Sequence, residues 1–424
     1  VVVTSTGTRV RGYGATAAGG ATVPDAATLF QIGSISKVIT GLALARQVAD
    51  GALTPATPAL TIGGADLRAA MPTATFTLAE LVSHHAGFPT MPANLVDRDG
   101  DGQRDPTADP LSPARGYARA DLLRAVTPLP LGGAAPYLYS NLGLGLLGVL
   151  LDDHLALPDN HALVTATLAP LAPTSTYGTV AAIPADARAR VAQGYALGGG
   201  ARVTGELAEM GVLAGAGEVT TTGADMAALL AALTGQTATP LAPAVALALT
   251  PIAASNQPDV ELGYAFEIRH EPGGERYTKG GATASYTAYL SFHRAPAVGA
   301  LVLTSCGGFD AAHDLAIAID DRLVAIAAPS MRPPAATLSG RRPRRSAAAG
   351  RDAQRPPAAT ISGRRARRSA AAGRDDQRPP GVTISGRRPR STPAWCRSGG
   401  SRGCGAPCPT SSASRSTGSW RRRR

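Results

Sequence analysis

Leu29-Phe30-Gln31-Ile32-Gly33-Ser34-Ile35-Ser36-Lys37-Val38-Ile39-Thr40 is the stretch on which the fold turns. Ile35, Val38, Ile39, Leu42 and Ala45 recur at helical spacing and Gly51 ends the run, so a helix with a buried face starts beside Ser34. A separation of three puts Ser34 and Lys37 on one side of that helix, a turn apart. Of the 41 lysines and arginines in the chain, only Lys37 and Lys279 are lysine. A desolvated lysine beside another cation can lose its proton, whereas arginine keeps its own. A neutral amine at position 37 can therefore take the Ser34 proton and activate that hydroxyl as a nucleophile. Free N–H groups at the helix start can hold an oxyanion. Taken alone, Ser-x-x-Lys also describes a capping serine followed by an exposed lysine.

Outward from this helix, residues 1–5 and 8–13 alternate small and β-branched side chains around Thr6-Gly7, the pattern of a hairpin, and 18–27 is rich in turn residues. Helical periodicity returns at 78–82, 120–126, 142–151 and 225–233. Residues 277–282, 286–293 and 300–305 read as strands, the last two joined across 294–299, and 311–327 reads as an amphipathic helix. Strands at both ends with helices between predict an α/β (α+β) fold. Its antiparallel sheet is built from both chain ends and flanked by helices, with an inserted, mostly α-helical lobe.

With 424 residues, 44% hydrophobic and 17% charged, the chain can bury a large core, and a wholly disordered or collagen-like molecule is excluded. The net charge of +11 hides a division. Residues 332–424 hold 23 basic and 3 acidic side chains, against 18 and 27 in 1–331. Residues 1–330 thus form an acidic domain and 331–424 a basic tail, in which Arg332-Pro333-Pro334, Arg355-Pro356-Pro357 and Arg378-Pro379-Pro380 open copies of a 23-residue repeat. These Arg/Pro/Ala-rich copies have no apolar face, so the tail is expected to be disordered. Its charge suits anionic polymers, while the lack of lysine and stacking aromatics speaks against specific nucleic-acid recognition.

Cys306 is the one cysteine of the acidic domain and reads as a buried strand thiol; Cys396, Cys404 and Cys408 fall in the tail without a fourth zinc ligand. No run approaches the ~20 apolar residues of a transmembrane segment. The sequence opens at Val1, so any export signal would precede it. Asp97, Asp99, Asp101 and Asp105, with Gly102 at the sixth place, are similar to a calcium loop, although Ala108 stands where the twelfth ligand would be. A solvated acidic surface loop is the simpler account of them. His84 and His85 read as loop-packing residues, and no phosphate-cradling or cofactor-binding pattern is present.

Two further elements carry chemistry. Tyr139-Ser140-Asn141 stands just before the 142–151 helix, where a phenol can relay a proton and a carboxamide can hold a substrate amide; an Asn cap beside a buried Tyr is the bland alternative. Lys279-Gly280-Gly281-Ala282, on an expected edge strand, offers a point charge for a carboxylate and a backbone that a peptide can approach.

Ser-x-x-Lys, Tyr-x-Asn and Lys-x-Gly in this order resemble the serine β-lactamase and penicillin-binding superfamily, and Tyr-x-Asn points to its class C β-lactamase and D-alanyl-D-alanine carboxypeptidase/endopeptidase branch. The resemblance extends through Leu81-Val82-Ser83-His84, Gly87-Phe88-Pro89 and 214–226, and covers 1 to about 328 but none of the tail. It implies a hydrolase acylated on Ser34, with Lys37 and Tyr139 handling the proton and Asn141 binding the substrate amide. Lys279 would face a carboxylate or the Tyr139 oxygen, and the N–H groups of Ser34 and Ala282, beside Gly281, would form the oxyanion hole. Substrates would be D-alanyl peptides of peptidoglycan or β-lactams, met outside the cytoplasmic membrane, without a cofactor. An esterase of the same fold and a non-catalytic penicillin-binding or adhesive protein are the alternatives. Against the family pattern, an N-terminal helix and first strand are expected to be missing, and Gly280 replaces the threonine of Lys-Thr-Gly.

Overall fold

The expected hairpin forms one residue earlier than its sequence suggests: β1 (Val2–Thr4) pairs with β2 (Gly7–Arg9) across Ser5-Thr6, with Gly7 opening the second strand at φ 121°. The computed structural model describes residues 1–327 except 102, 104–108, 199–200 and 309. After the hairpin, β3 (Leu29–Gln31) runs through a 3-10 turn, Gly33–Ile35, into α1 (Ser36–Ala49). The helical lobe follows with α2 (Ala65–Ala70), α3 (Leu78–Val82), α4 (Arg119–Val126), α5 (Asn141–Leu155), α6 (Asn160–Leu168) and α7 (Ala185–Arg188). A hairpin, β4 (Gly194–Gly198) and β5 (Ala201–Gly205), precedes β6 (Thr220–Thr222), α8 (Gly223–Thr234) and α9 (Ala242–Ala248). The chain then forms β7 (Ala253–Ala254), β8 (Val260–Leu262), β9 (Glu267–Glu271), β10 (Gly274–Ala282), β11 (Thr287–Arg294), β12 (Ala297–Thr304) and α10 (Ala311–Ala327).

The main sheet is antiparallel, in the order β2-β1-β12-β11-β10-β9-β8-β7. Val2 lies opposite Ala300, so the first and last strands are neighbours and the sheet is closed from both chain ends, as the sequence predicts. The period-2 alternation of β11 divides its two faces. Ala288, Leu290 and Phe292 join the main core, while Ser291 turns to α10 and donates to Asp320. Lys279 sits opposite Leu290, and Gly281 opposite Ala288, so the pleat aims both at the core-facing side of the sheet.

Local chemistry starts the helices that matter to the site. Thr77 and Glu80 form a reciprocal capping box at α3. The Ser140 hydroxyl accepts the Gly143 N–H at the start of α5. Every side chain of α5 from Leu142 to Leu151 is buried, making it a core helix.

Several expectations change. β10 is an interior strand, between β9 and β11. Its partner β9 reaches only to Thr278, so the final four residues, beginning at Lys279, extend beyond it. The 294–299 connection is a tighter turn, because β11 and β12 continue to Arg294 and Ala297. Cys306 is half-buried just past β12, where it bridges Tyr195. The expected tail disorder, the repeats and the tail cysteines lie outside the described residues.

Candidate active site

Ser34 occupies the middle of the Gly33–Ile35 turn at the foot of α1. Gly33 has φ 51°, in the left-handed region that glycine tolerates, and a Cβ there would meet the Ala282 nitrogen at 2.5 Å. A Cβ on Gly281 would meet the Ile32 carbonyl oxygen at 2.0 Å and the Ser34 nitrogen at 3.0 Å. The absence of both side chains lets β10 lie against the serine turn, which brings the backbone of Ser34 and Ala282 side by side. Ser36 braces the turn: its hydroxyl donates to the Gly33 carbonyl at 2.6 Å and accepts the Val219 N–H at 3.1 Å.

Lys37 is completely buried. Its Nζ reaches Ser34 Oγ at 3.0 Å, Asn141 Oδ1 at 2.6 Å and the Ala216 carbonyl at 2.5 Å. Tyr139 Oη donates to the same Ser34 Oγ at 2.8 Å. The serine hydroxyl thus sits between an amine and a phenol from two different elements. Because Ser140 rather than Asn141 caps α5, the Asn141 carboxamide is released to meet Lys37. Its Nδ2 donates to Met91 Sδ at 3.2 Å, a weak acceptor.

Burial lowers the Lys37 pKa from its ordinary value, and the charge of Lys279 lowers it further, against the opposing influence of Tyr139. Lys279 is 4% exposed and its pKa is likewise lowered by burial, opposed by Glu267. The Lys37 and Lys279 ammonium groups lie 4.9 and 5.1 Å from the centroid of the one Tyr139 ring. The two lysines of the chain therefore converge on a single phenol. This arrangement can take a proton from a serine hydroxyl and present backbone N–H groups and a point charge to a bound acyl group.

The geometry brings together Ser34, Lys37, Tyr139, Asn141, Lys279, Gly281 and Ala282. It leaves the acidic loop apart. Asp97, Asp99 and Asp101 have carboxylate oxygens within 4.8 Å of one another, and Asp105 falls outside the described residues. Each of the three also accepts a backbone N–H of its own loop, from Gly100, Asp101 and Gln103. These turns supply a role for the carboxylates without an ion. Sequence reasoning missed the Ala216 carbonyl, which no side-chain pattern could reveal. It also missed Ser36 and Met91, and it gave His84 only a loop-packing role although that ring lies against Tyr139, 4.6 Å between centroids.

A protein-family model described as Beta-lactamase matches residues 1–323. Among solved structures, the chain is similar to the class C β-lactamase from Rhodobacter sphaeroides, with TM-score 0.58 and 20% identity over 75% of this chain and 90% of that one. A second class C β-lactamase aligns with TM-score 0.61 and 18% identity over 77% of this chain and 91% of the other. A third does so with TM-score 0.59 and 17% identity over 78% and 88%. At such identities the likeness is one of fold. No curated protein matches the sequence at a significant level.

Proposed function

The chain belongs to the β-lactamase family, and from that premise we propose that it is a serine hydrolase that forms an acyl-enzyme on Ser34 with D-alanyl peptides or β-lactams. One observation carries the reading: a single hydroxyl held between Lys37 Nζ at 3.0 Å and Tyr139 Oη at 2.8 Å.

In the proposed reaction Ser34 Oγ attacks the carbonyl carbon of the amide or lactam. Its proton leaves to the Lys37–Tyr139 pair, for which the lowered Lys37 pKa makes a free lone pair accessible. The negative charge that develops on the carbonyl oxygen is met by the N–H groups of Ser34 and Ala282. As the C–N bond breaks, the proton returns to the leaving nitrogen through the phenol. Water then attacks the ester and restores Ser34. Asn141 Nδ2, held only by a thioether, is free to exchange that contact for a substrate amide carbonyl. Lys279 supports a substrate carboxylate. Each such group typically supplies about 10²–10⁴-fold.

Two features favour a second reading. Gly280 brings no hydroxyl to a carboxylate, and Glu267 already offsets part of the Lys279 charge. A neutral ester would lose less by these two features than an anionic peptide would. On the leading reading the protein acts outside the cytoplasmic membrane, where D-alanyl peptides lie; no helix among the described residues is long and apolar enough to cross a membrane. Turnover of a chromogenic cephalosporin, an acyl-D-Ala-D-Ala peptide and a short nitrophenyl ester separates the readings. Cephalosporin or peptide turnover that disappears in Ser34→Ala supports the first, and ester turnover alone supports the second. Activity of Ser34→Ala equal to wild type contradicts both.

A further inference from the structure

Tyr139 stands on a short connection before α5, yet its Oη must be held at hydrogen-bond distance from Ser34. Ser140 Oγ donates to the Pro89 carbonyl at 2.6 Å and Asn141 N–H to the Thr90 carbonyl at 2.8 Å, which fixes the start of α5. The residues on either side of Tyr139 are both held by one residue. His84 accepts the peptide N–H on each side of Tyr139: its backbone carbonyl takes Leu138 N–H at 3.0 Å and its Nδ1 takes Ser140 N–H at 3.1 Å. Its ring packs at a tilt against the phenol ring, 4.6 Å between centroids at 38°, and Tyr137 meets it edge-on at 5.9 Å.

The remainder of His84 fits this role. It follows α3 directly and has φ 66°, a left-handed backbone that is uncommon for a residue with a side chain and is kept where surrounding structure demands it. That conformation lets carbonyl and imidazole reach one neighbouring segment together. The residue is 5% exposed, and Nε2 has no partner among the described residues, so its side chain is anchored by the Ser140 bond and by ring packing alone. Acceptance at Nδ1 requires a neutral ring with its proton on Nε2. Burial, then Lys279, Lys37 and His85, hold the imidazole pKa well below its ordinary value.

We propose that His84 is a positioning residue for the Tyr139 phenol: by holding the N–H of the residue on each side and packing against the ring, it sets the phenol oxygen against Ser34. Its kinetic consequence rests on the reading of Ser34 as nucleophile; the placement of Tyr139 does not. Glycine accepts φ 66° and keeps the carbonyl bond while losing Nδ1 and the ring. Asparagine also tolerates that backbone and offers Oδ1 near where Nδ1 stands.

A fluorophosphonate, which labels activated serines whatever their substrate, reads the effect in the full-length protein. His84→Gly should be labelled at Ser34 about tenfold or more slowly than wild type, because a displacement of about 1 Å near the chemistry costs up to about 100-fold. His84→Asn should recover most of that loss. In a Tyr139→Phe background, where the phenol is already gone, His84→Gly should cause no further slowing. Equal labelling of His84→Gly and wild type, equal labelling of the Gly and Asn variants, or the same loss in the Tyr139→Phe background would each overturn the proposal. If folded wild type takes no label at Ser34, the nucleophile reading fails instead. A crystal structure of His84→Gly then decides the placement: a displaced or disordered phenol upholds it and an unmoved one overturns it.

Discussion

Lys37 can accept a proton only with a free lone pair, so the account requires a lysine at that position and not merely a cation. Lys37→Arg keeps the charge but removes any accessible neutral form. Acylation of Lys37→Arg should fall by about 10³-fold or more, and Tyr139→Phe by about 10²–10³-fold, both measured as the rate of covalent labelling. Comparable rates for Lys37→Arg and wild type would remove lysine from the proton path. The same argument sets a pH dependence. Burial and the neighbouring Lys279 charge depress the Lys37 pKa below its ordinary 10.5, so the reactive neutral amine appears at lower pH than for an exposed lysine. The acylation rate should rise with pH through that lowered pKa. Replacing Lys279 with methionine removes a repulsive charge, and the rising limb should then move to higher pH.

Among the elements, the loops over β3 and β6 depend on Glu218. The Glu218 side chain is 3% exposed and accepts Val180 N–H at 2.7 Å on one oxygen and Met210 N–H at 2.6 Å on the other. Gln31 continues the same staple to Ala208 through two bonds of 2.7 and 2.9 Å. Burial pushes the Glu218 pKa up to about 7 from 4.5, outweighing the backbone N–H groups that favour the anion. With the folded-state pKa above the unfolded one, the native state binds the extra proton. Its contribution to stability is full below about pH 4.5 and is lost as pH rises to about 7. Glu218→Gln cannot ionise, so the difference in stability between wild type and variant should narrow across that window and then change sign. Thermal melting of the two proteins at several pH values checks this. At low pH the variant should be less stable by about 1–2 kcal/mol, because one buried N–H then faces an amide donor.

Elements with a local cause were readable from the sequence. Helical periodicity over 78–82 and the apolar spacing of Ile35, Val38, Ile39 and Leu42 mark α3 and α1 without reference to anything distant. The position of β10 inside the sheet was not readable, because it depends on pairing with β9, a strand without a clear alternating pattern. The Asn cap offered as the bland alternative at α5 gives way to Ser140, an equally good capping residue, and only the Lys37 contact of Asn141 tells them apart. For the site, the motif side chains were legible from lysine scarcity and order. The contributions of Ala216 and of the His84 carbonyl were not, because backbone groups leave no trace in residue identity.

At the scale of the whole molecule, the main sheet joins β1 to β12, with the Val1 nitrogen donating to the Leu301 carbonyl. We propose that residues 1–330 carry the hydrolase activity of this chain and that the tail contributes through its charge. A chain ending at residue 330 should keep the labelling rate of the full chain within about twofold, since every residue assigned to the site precedes that position. The two proteins should part on a polyanion column. The full chain carries 23 basic and 3 acidic residues beyond position 331 and should be retained at low salt and released as salt rises. The shortened chain, with 18 basic and 27 acidic residues up to 331, should pass through. A large loss of labelling on truncation would show that the tail belongs to the working enzyme.

The central claim concerns one hydroxyl. Incubation of the intact protein with a penicillin, followed by mass spectrometry of its peptides, tests it most directly. A covalent adduct of the drug's full mass should appear on the peptide containing Ser34 and be missing from Ser34→Ala. An adduct on another residue, or equal labelling of the Ser34→Ala protein, would contradict the account.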